Sequence, residues 1–443
     1  MATITQIIQT HVPDLQPYEE LYKHFHSHPE LSHQESATAA RISQHLSTLG
    51  GGGHYTIHAS LGGHGLAAVL PNGPGPTVLL RADMDALPVL EATGLPYAST
   101  DRARDLSDGG VEKPVMHACG HDMHVTALLA AAETLASARA EWKGTLVLVF
   151  QPAEERAEGA RRMVEEGGLY ERVPVPDVLV GAHVMPFRSG VIGVRGGLVA
   201  SSADSFEVHL PGRQSHASTP HTSLDPILLA AHTIIRLQTI VAREVDPLDF
   251  AVVTVSAIHA GDRENIIPAS ATLKLNIRAA KPATRDRVLK SVRRIIRAEA
   301  MATSDEGGEG MEPRIEGINA FPFLYNDEVS TAVLQDAFAG HFGGREWARF
   351  DAEIPRLQGS EDFGLLATSV GRPSCFFLYG GVEHEVWDRL EGEGRLAEVP
   401  GNHSPGFRLQ IRPTLDVGVE GYVAAALGFF REGKVVKERV VEG

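Results

Sequence analysis

Short apolar runs alternate with amphipathic stretches along the first 200 residues of the chain. Runs of the length expected for buried strands lie at residues 66–70, 77–82, 145–150 and 178–182. Helices are predicted where apolar positions follow helical spacing, at residues 13–28, 36–49 and 125–136. Strands that alternate with helices are typical of α/β proteins. We therefore expect a mainly parallel central sheet flanked by helices.

The pattern changes after about residue 200. Alternating or apolar segments predict strands at residues 205–210, 251–258 and 271–278. Amphipathic segments predict helices at residues 225–241 and 283–301. This order predicts an inserted α+β unit of two layers, of the ferredoxin-like kind, over residues 200–309. The β/α pattern then returns, so residues 1–199 and 310–443 are predicted to form one catalytic domain.

Composition narrows the possible partners and compartments. The formal net charge of −16 and the sequence pI of about 5.7 argue against nucleic acid or an anionic membrane as a partner. The two cysteines provide no disulfide framework, and no apolar run approaches the roughly 18 residues of a membrane helix. The N-terminus has no basic patch followed by an apolar core. We therefore expect a cytoplasmic protein without a membrane partner.

The segment 116–124 is the densest group of metal-binding side chains in the chain. Five of its nine residues can bind a metal, namely His117, Cys119, His121, Asp122 and His124. Thiolate, imidazole and carboxylate are ligands that zinc accepts. Cys119 and His121 would point the same way in an extended segment, and Gly120 between them would also allow a tight turn. Each residue alone is more commonly a buried or surface side chain without a ligand. Four ligands in one loop could also form a structural site, whereas a catalytic site takes ligands from elsewhere in the chain.

Ligand-type residues also follow three of the predicted strands. Asp83 and Asp85 follow the predicted strand 77–82, Glu154 and Glu155 follow the strand 145–150, and His183 follows the strand 178–182. Alone, the two aspartates are explained equally well by a polar turn with helix-capping residues, and the two glutamates are explained better by a solvated helix start. Together they converge on the edge of a sheet where α/β proteins place active sites. Of two adjacent glutamates, one can hold a metal while the other takes a proton from water.

These motifs, in this order, resemble the M20 metallopeptidase family. The similarity runs from residues 26–30 through the segments 116–124, 151–155 and 359–363 to residues 402–405. The segments 116–124, 151–155 and 359–363 match the amidohydrolase branch most closely. That branch includes hippurate hydrolases, N-acyl-amino-acid hydrolases and hydrolases of auxin conjugates. The segment 382–401 is longer and more charged than is usual in the branch.

The resemblance implies roles for individual residues. It implies two divalent ions, zinc or manganese, whose ligands would be Cys119, His121, Glu155, His183 and His403. Glu154 would be the general base, and Asp85 a carboxylate that orients a ligand. His216 of the inserted lid would stabilise the oxyanion, while Asn265 and Arg278 would bind the substrate carboxylate. Asp83 stands where other branches have a ligand histidine. The lid would also mediate homodimerisation.

We therefore expect a dinuclear metal-dependent amidohydrolase. Its substrate would be a small molecule, an N-acyl or N-aroyl amino acid or a dipeptide with a free carboxylate. Two alternatives remain open from the sequence. One is a catalytically inactive regulator that binds metal and peptide, and the other is a hydrolase of different amides such as ureido compounds.

Overall fold

The computed structural model describes residues 2–49, 54–304, 312–345, 347–357 and 359–432. The chain divides into two compact units. The first comprises Met1–Val199, Tyr325–Arg356 and Asp362–Gly443, and the second comprises Ala200–Leu324 and Leu357–Glu361. Among the described residues, no helix is both long and apolar enough to cross a bilayer.

The first unit contains an eight-stranded sheet in the order β1-β2-β6-β3-β7-β18-β8-β17. Its strands, numbered in chain order, are β1 (Thr56–Leu61), β2 (Gly65–Asn72), β3 (Thr77–Asp83), β6 (Gly144–Gln151), β7 (Val178–Arg188), β8 (Val191–Val194), β17 (Arg349–Asp351) and β18 (Ser374–Val382). Strands β6, β3, β7 and β18 run parallel to one another, whereas β2 and β8 pair antiparallel with β6 and β18 at the two sides of this group. The predicted mainly parallel α/β sheet is therefore confirmed.

The parallel strands bring their carboxyl ends to one edge of the sheet. Asp83 ends β3 and is paired with Gln151, which ends β6. His183 lies within β7, which continues to Arg188 because it pairs with β18 as far as Val382. The predicted strand ended at residue 182, since the polar residues beyond it interrupt the apolar pattern. The shared edge places the residues that follow β3 and β6 near His183.

Helices flank this sheet and supply most of the apolar core. They are α1 (Ile4–His11), α2 (Gln16–Ser27), α3 (Ser36–Thr48), α4 (His121–Ser137), α5 (Gly159–Glu165), α6 (Leu169–Arg172), α10 (Glu328–Phe342), α11 (Gly364–Thr368), α12 (His384–Gly392) and α13 (Ile411–Glu432). Helix α4 is buried along nearly its whole length, because its alanines allow close packing. It begins at His121, four residues before the predicted start at residue 125, and the packing of this first turn fixes His121 against the core.

The second unit has a four-stranded antiparallel sheet in the order β12-β14-β10-β15. Its elements are β10 (Ser202–Pro211), β11 (Ser215–His216), α7 (Pro226–Leu237), α8 (Thr239–Arg243), β12 (Ala251–Ala260), β13 (Ile266–Ile267), β14 (Ser270–Ala279), α9 (Pro282–Thr303) and β15 (Arg314–Phe321). This unit was predicted to end at residue 309, but it extends to Leu324. The reason is that β15 pairs with β10 and completes the sheet.

Four short strands complete the regular structure. Strands β4 (Arg102–Asp105) and β5 (Val111–Pro114) form an antiparallel pair in the segment between β3 and α4. Strands β9 (Gly197–Ala200) and β16 (Leu324–Asn326) lie where the chain passes from one unit to the other.

Candidate metal centre

The edge of the central sheet is organised around a buried arginine. Arg81 of β3 is fully buried, and its guanidinium group donates to Asp83 Oδ2 at 2.7 Å and to Gln151 Oε1 at 2.9 Å. It also lies 3.4 Å from Asp362 Oδ1, which accepts a hydrogen bond from Gln151 Nε2 at 2.6 Å. A buried charge requires such partners. The network therefore ties the segment that begins at residue 362 to the ends of β3 and β6.

Asp83 also fixes the orientation of His124. The His124 Nδ1 atom lies 2.5 Å from Asp83 Oδ1, and its Nε2 atom accepts a hydrogen bond from the Val184 backbone N–H at 2.8 Å. The ring proton is therefore on Nδ1, because Nε2 acts as an acceptor. Both nitrogens of His124 are used in this way, so its role is structural. Arg81 and the nearby histidines outweigh the effect of burial and hold the pKa of Asp83 well below its usual range.

Asp85 holds the turn that carries the adjacent glutamates. Its Oδ1 accepts from the Glu154 backbone N–H at 3.2 Å and its Oδ2 from that of Glu155 at 3.1 Å. Ser32 Oγ donates to Oδ2 at 2.6 Å, and His121 Nδ1 lies 3.3 Å from Oδ1. Burial alone would raise the pKa of Asp85, but its contacts with His121 and Ser32 lower it. One carboxylate thus connects three parts of the site.

Cys119 and His121 are brought together by a turn rather than by an extended segment. Gly120 between them has a φ of +85° and is the N-cap of α4. A Cβ atom at this position would lie 2.5 Å from Val184 Cγ1, so glycine meets both the conformational and the steric requirement. Of the two geometries considered for Cys119 and His121, the extended one is wrong and the tight turn at Gly120 is present. Their proximity results from the helix start.

Two further imidazoles approach this turn. His183 Nδ1 lies 2.7 Å from the Val184 carbonyl oxygen, and its Nε2 lies 3.5 Å from Cys119 Sγ. Burial, together with His124, holds the pKa of His183 well below its usual range, which leaves a neutral ring. His403 Nε2 lies 3.2 Å from Glu155 Oε1. The residues with predicted metal-binding roles in the first unit therefore lie close together.

The donor set suits divalent metal ions. Cys119, His121 and His183 form one group whose ligand atoms lie within 4.8 Å of one another, and Cys119, Glu155 and His403 form a second. Both ring nitrogens of His121 and the Oε1 atom of Glu155 are buried and have no hydrogen-bond partner in the described parts of the chain. Buried polar atoms of this kind normally have partners. A divalent ion would satisfy Glu155 Oε1 and the Nε2 atom of His121, while Asp85 Oδ1 lies 3.3 Å from His121 Nδ1 and would orient the ring.

The other residues of the 116–124 segment have different environments. Asp122 Oδ2 lies 2.7 Å from His26 Nδ1, and the other nitrogen of His26 lies 3.1 Å from Glu91 Oε1. Burial opposes a charged His26 ring, but the two carboxylates raise its pKa to about 9. His117 is buried, and neither ring nitrogen has a hydrogen-bond partner among the described residues. Of the five candidate ligands of this segment, Cys119 and His121 therefore belong to the centre, while Asp122 and His124 contact other side chains.

Three residues with predicted substrate roles belong to the second unit. His216 is exposed on β11, and the Ser218 backbone N–H donates to its Nδ1 at 3.1 Å. Asn265 accepts a backbone hydrogen bond from Ala217 at 3.0 Å. Arg278 donates from Nε to Asn276 Oδ1 at 3.1 Å and lies 3.3 Å from Ser360 Oγ.

Several residues that support the centre were not predicted from the sequence. Asn402 Nδ2 donates to the Cys119 carbonyl oxygen at 3.2 Å and lies 3.7 Å from Cys119 Sγ. Ser32 contacts Asp85, and Glu35 accepts from the Ala153 backbone N–H at 2.8 Å. Glu35 stands before the predicted helix 36–49, where an acidic residue indicates only a helix start. Its contact with Ala153 depends on the tertiary fold.

Comparisons with known proteins agree with this arrangement. The model of "Peptidase family M20/M25/M40" matches residues 79–391. The chain is 37% identical over 377 residues to hippurate hydrolase of Campylobacter jejuni, covering 84% of this chain and 90% of that protein. It is 35% identical over 317 residues to N-acetyl-L-cysteine deacetylase of Bacillus subtilis, covering 71% and 70%. The structure of the Bacillus subtilis YXEP protein, a dinuclear metal-binding peptidase from the M20 family, aligns with a TM-score of 0.68 and 28% identity, covering 94% and 98%.

Metal binding should release about two protons per chain at pH 7. Before metal binds, burial and the nearby Glu155 and Glu154 hold the pKa of Cys119 well above its usual value. Burial favours a neutral His121, but Asp83 and Asp85 raise its pKa to about 10. Both residues must lose a proton to become ligands, so metal affinity should rise with pH. Titration calorimetry in buffers of different ionisation enthalpy measures the release, and an absence of released protons would contradict these ligands.

Proposed function

Because the chain belongs to the peptidase family M20/M25/M40, in its amidohydrolase branch, we propose that it hydrolyses the amide bond of N-acyl or N-aroyl amino acids or dipeptides. The predicted metal-dependent amidohydrolase is confirmed at the level of the family. The observation that carries the proposal is the convergence of two candidate ligand groups, which share Cys119, beside Glu154. The proposed ligands of two zinc or manganese ions are Cys119, His121, Glu155, His183 and His403.

Glu154 is the proposed general base. It is buried, and its carboxylate lies in one group with the Glu155 carboxylate and the His121 imidazole. Divalent ions at the centre would lower the pKa of a water molecule and polarise the amide carbonyl. Glu154 takes the proton of the attacking water and passes it to the leaving nitrogen. Asp85 holds the backbone of this turn, so the base and the adjacent ligand keep a fixed separation.

His216 is the proposed donor to the developing oxyanion. The Ser218 backbone N–H donates to His216 Nδ1, which places the ring proton of the neutral side chain on Nε2. An Nε2–H group of this kind can donate to a negatively charged oxygen. This tautomer supports the role implied by the resemblance.

Arg278, with Asn265, is the proposed site for the free carboxylate of the substrate. An arginine binds a carboxylate through two parallel hydrogen bonds, which suits an acidic protein that needs a local cation for an anionic substrate. Asn276 Oδ1 accepts a hydrogen bond from Arg278 Nε, and Asn276 Nδ2 in turn donates to Ser205 Oγ at 3.1 Å. These contacts support the proposal because they orient the guanidinium group in advance.

A homodimer formed through the second unit is also proposed. Helix α7 packs Leu229, Ala230 and Leu237 into its own core. Its opposite face nevertheless exposes apolar side chains, with 56% of Leu228 and 69% of Ile235 accessible. Exposed apolar groups of this kind are typical of a surface that binds another protein.

A cytoplasmic location remains a prediction. Both cysteines are buried and form no disulfide bond with each other.

Replacing Glu154 by Gln should abolish turnover and retain the metal. The amide cannot take the proton of water, so kcat should fall about 100-fold or more while metal content is unchanged. The assay uses N-acetyl, N-benzoyl and N-indoleacetyl amino acids and dipeptides, with chelator and with manganese or zinc restored. Glu165→Gln on the exposed face of α5 is the control. Substantial turnover by Glu154→Gln would contradict the role of Glu154 as the base. If the metal-loaded wild type were inactive towards the whole panel, a binding protein or a hydrolase of other amides would be favoured.

Replacing Arg278 by Ala should raise KM far more than it lowers kcat. The guanidinium group binds the substrate carboxylate equally in the ground state and the transition state, and loss of such uniform binding appears in KM. For substrates whose carboxylate is capped as an amide, KM should differ little between the variant and the wild type. Lys274→Ala, on the same strand, serves as the control. A fall in kcat alone would argue against the proposed contact.

Sedimentation velocity should show a particle of twice the chain mass of 47.6 kDa. Replacing Leu228 by Asp should shift it towards the single-chain mass, because a charge on the apolar face of α7 would have to be buried in the dimer. Leu106→Asp, at an exposed apolar position of the first unit, is the matched control. A wild-type protein that sediments as a single chain at micromolar concentration would rule out this dimer.

A further inference from the structure

The segment that links α2 to α3 reaches the turn that carries Glu154 and Glu155. Ser32 Oγ in this segment donates to Asp85 Oδ2 at 2.6 Å. Glu35 lies three residues further along and is fully buried. Its Oε1 accepts hydrogen bonds from the backbone N–H groups of Ala153 at 2.8 Å and of His33 at 3.0 Å. The linker therefore contacts the centre at two points.

Two buried carboxylates together hold three successive backbone N–H groups. Glu35 accepts from Ala153, and Asp85 accepts from Glu154 and Glu155. Ala153 is buried, so without Glu35 its N–H group would lose its acceptor in a place where an unsatisfied donor is unfavourable. The backbone direction of the whole turn is thus set by acceptors outside it.

The turn needs this restraint because its backbone is strained. Ala153 has φ of +50° and ψ of +39°, a left-handed conformation that is unfavourable for a residue with a Cβ atom. Such a conformation persists when its surroundings impose it. If Ala153 relaxed to a right-handed or extended conformation, the chain direction at the next two residues would change. The glutamate side chains would then leave their positions relative to His121 and His403.

The linker is itself fixed against the far end of the same turn. His33 Nε2 lies 2.9 Å from Glu158 Oε2, and Arg162 donates to His33 Nδ1 at 3.0 Å. Nδ1 accepts from a cation, so Nε2 carries the proton that is donated to Glu158. The linker thus contacts residues on both sides of Glu154 and Glu155. Glu35 therefore belongs to a segment that is fixed on both sides of the two glutamates.

We infer that Glu35 is a positioning residue, whose carboxyl oxygen holds Ala153 and thereby directs Glu154 and Glu155 towards the metal centre. The inference rests on the proposed function for the roles of those two glutamates. It assigns to Glu35 no contact with substrate or metal. Its contribution comes from the hydrogen-bond acceptor, which a glutamine also supplies.

Glutamine is a matched replacement for Glu35. The Oε1 atom accepts both backbone hydrogen bonds, while the Oε2 atom is buried and has no hydrogen-bond partner among the described residues. Burial and the negative charge of Asp85 raise the pKa of Glu35 to about 8. A neutral amide of the same shape therefore preserves the acceptor and adds no charge. Alanine removes the acceptor, and aspartate shortens its reach by one methylene group.

The experiment compares Glu35→Ala and Glu35→Gln in the full-length, metal-loaded protein. Metal affinity is measured by competition with a chromophoric chelator, and kcat and KM with the best substrate of the panel. In Glu35→Ala both metal affinity and kcat should fall about 10- to 100-fold, with KM changed less than about threefold. Glu35→Gln should recover most of both losses. Asp327→Ala, which removes a carboxylate that accepts from the Ser330 backbone N–H at the start of α10, is the control for a general loss of stability.

A second pair of variants keeps the test decisive if Glu35→Ala does not fold. Glu35→Asp should show an intermediate loss, and adding Ala153→Gly should recover part of it, because glycine adopts the left-handed conformation without a steric penalty. Unchanged metal affinity and kcat in Glu35→Ala, or equal losses in Glu35→Ala and Glu35→Gln, would overturn the inference. A wild type without activity would instead count against the proposed function, and the metal affinities would still test Glu35.

Discussion

The candidate centre depends on one carboxylate, that of Asp85, which lies two residues beyond the end of the buried strand β3. Its two oxygens accept hydrogen bonds from the backbone N–H groups of Glu154 and Glu155. The side chains of Ser32 and His121 contact the same carboxylate. Removing one partner from a buried charged network of this kind typically costs about 3–5 kcal/mol. The position of the proposed base is therefore coupled to the sheet and to the turn before α4.

This arrangement separates support from chemistry. Asp83, Asp85 and His124 use their polar atoms in hydrogen bonds within the protein, whereas His121 and Glu155 keep buried atoms that make no hydrogen bond to any residue the structure describes. Several carboxylates crowd around one imidazole, and their mutual repulsion in a buried place is unfavourable. Divalent ions would neutralise this charge. Metal binding and the stability of this edge of the sheet are thus expected to reinforce each other.

Much of this site could be predicted from the sequence, because the residues concerned follow buried strands or precede a buried helix. The apolar runs located β3, β6 and β7, and the residues beyond them converge as parallel strands require. The turn at Gly120 was one of two possibilities for Cys119 and His121, since local spacing does not show that a left-handed glycine begins the helix. Glu35 and Asn402 were missed, because their partners lie 118 and 283 residues away in the chain. The end of the second unit was placed too early because an acidic, glycine-rich segment precedes the strand β15 that completes its sheet.

The metal centre can be tested by an anomalous difference map from crystals of the zinc- or manganese-loaded protein, recorded at the absorption edge of the metal. We expect two peaks per chain in contact with the side chains of Cys119, His121, Glu155, His183 and His403, and with neither Asp83 nor His124 among the ligands. A single peak, or peaks bound by Asp83 and His124, would contradict this expectation.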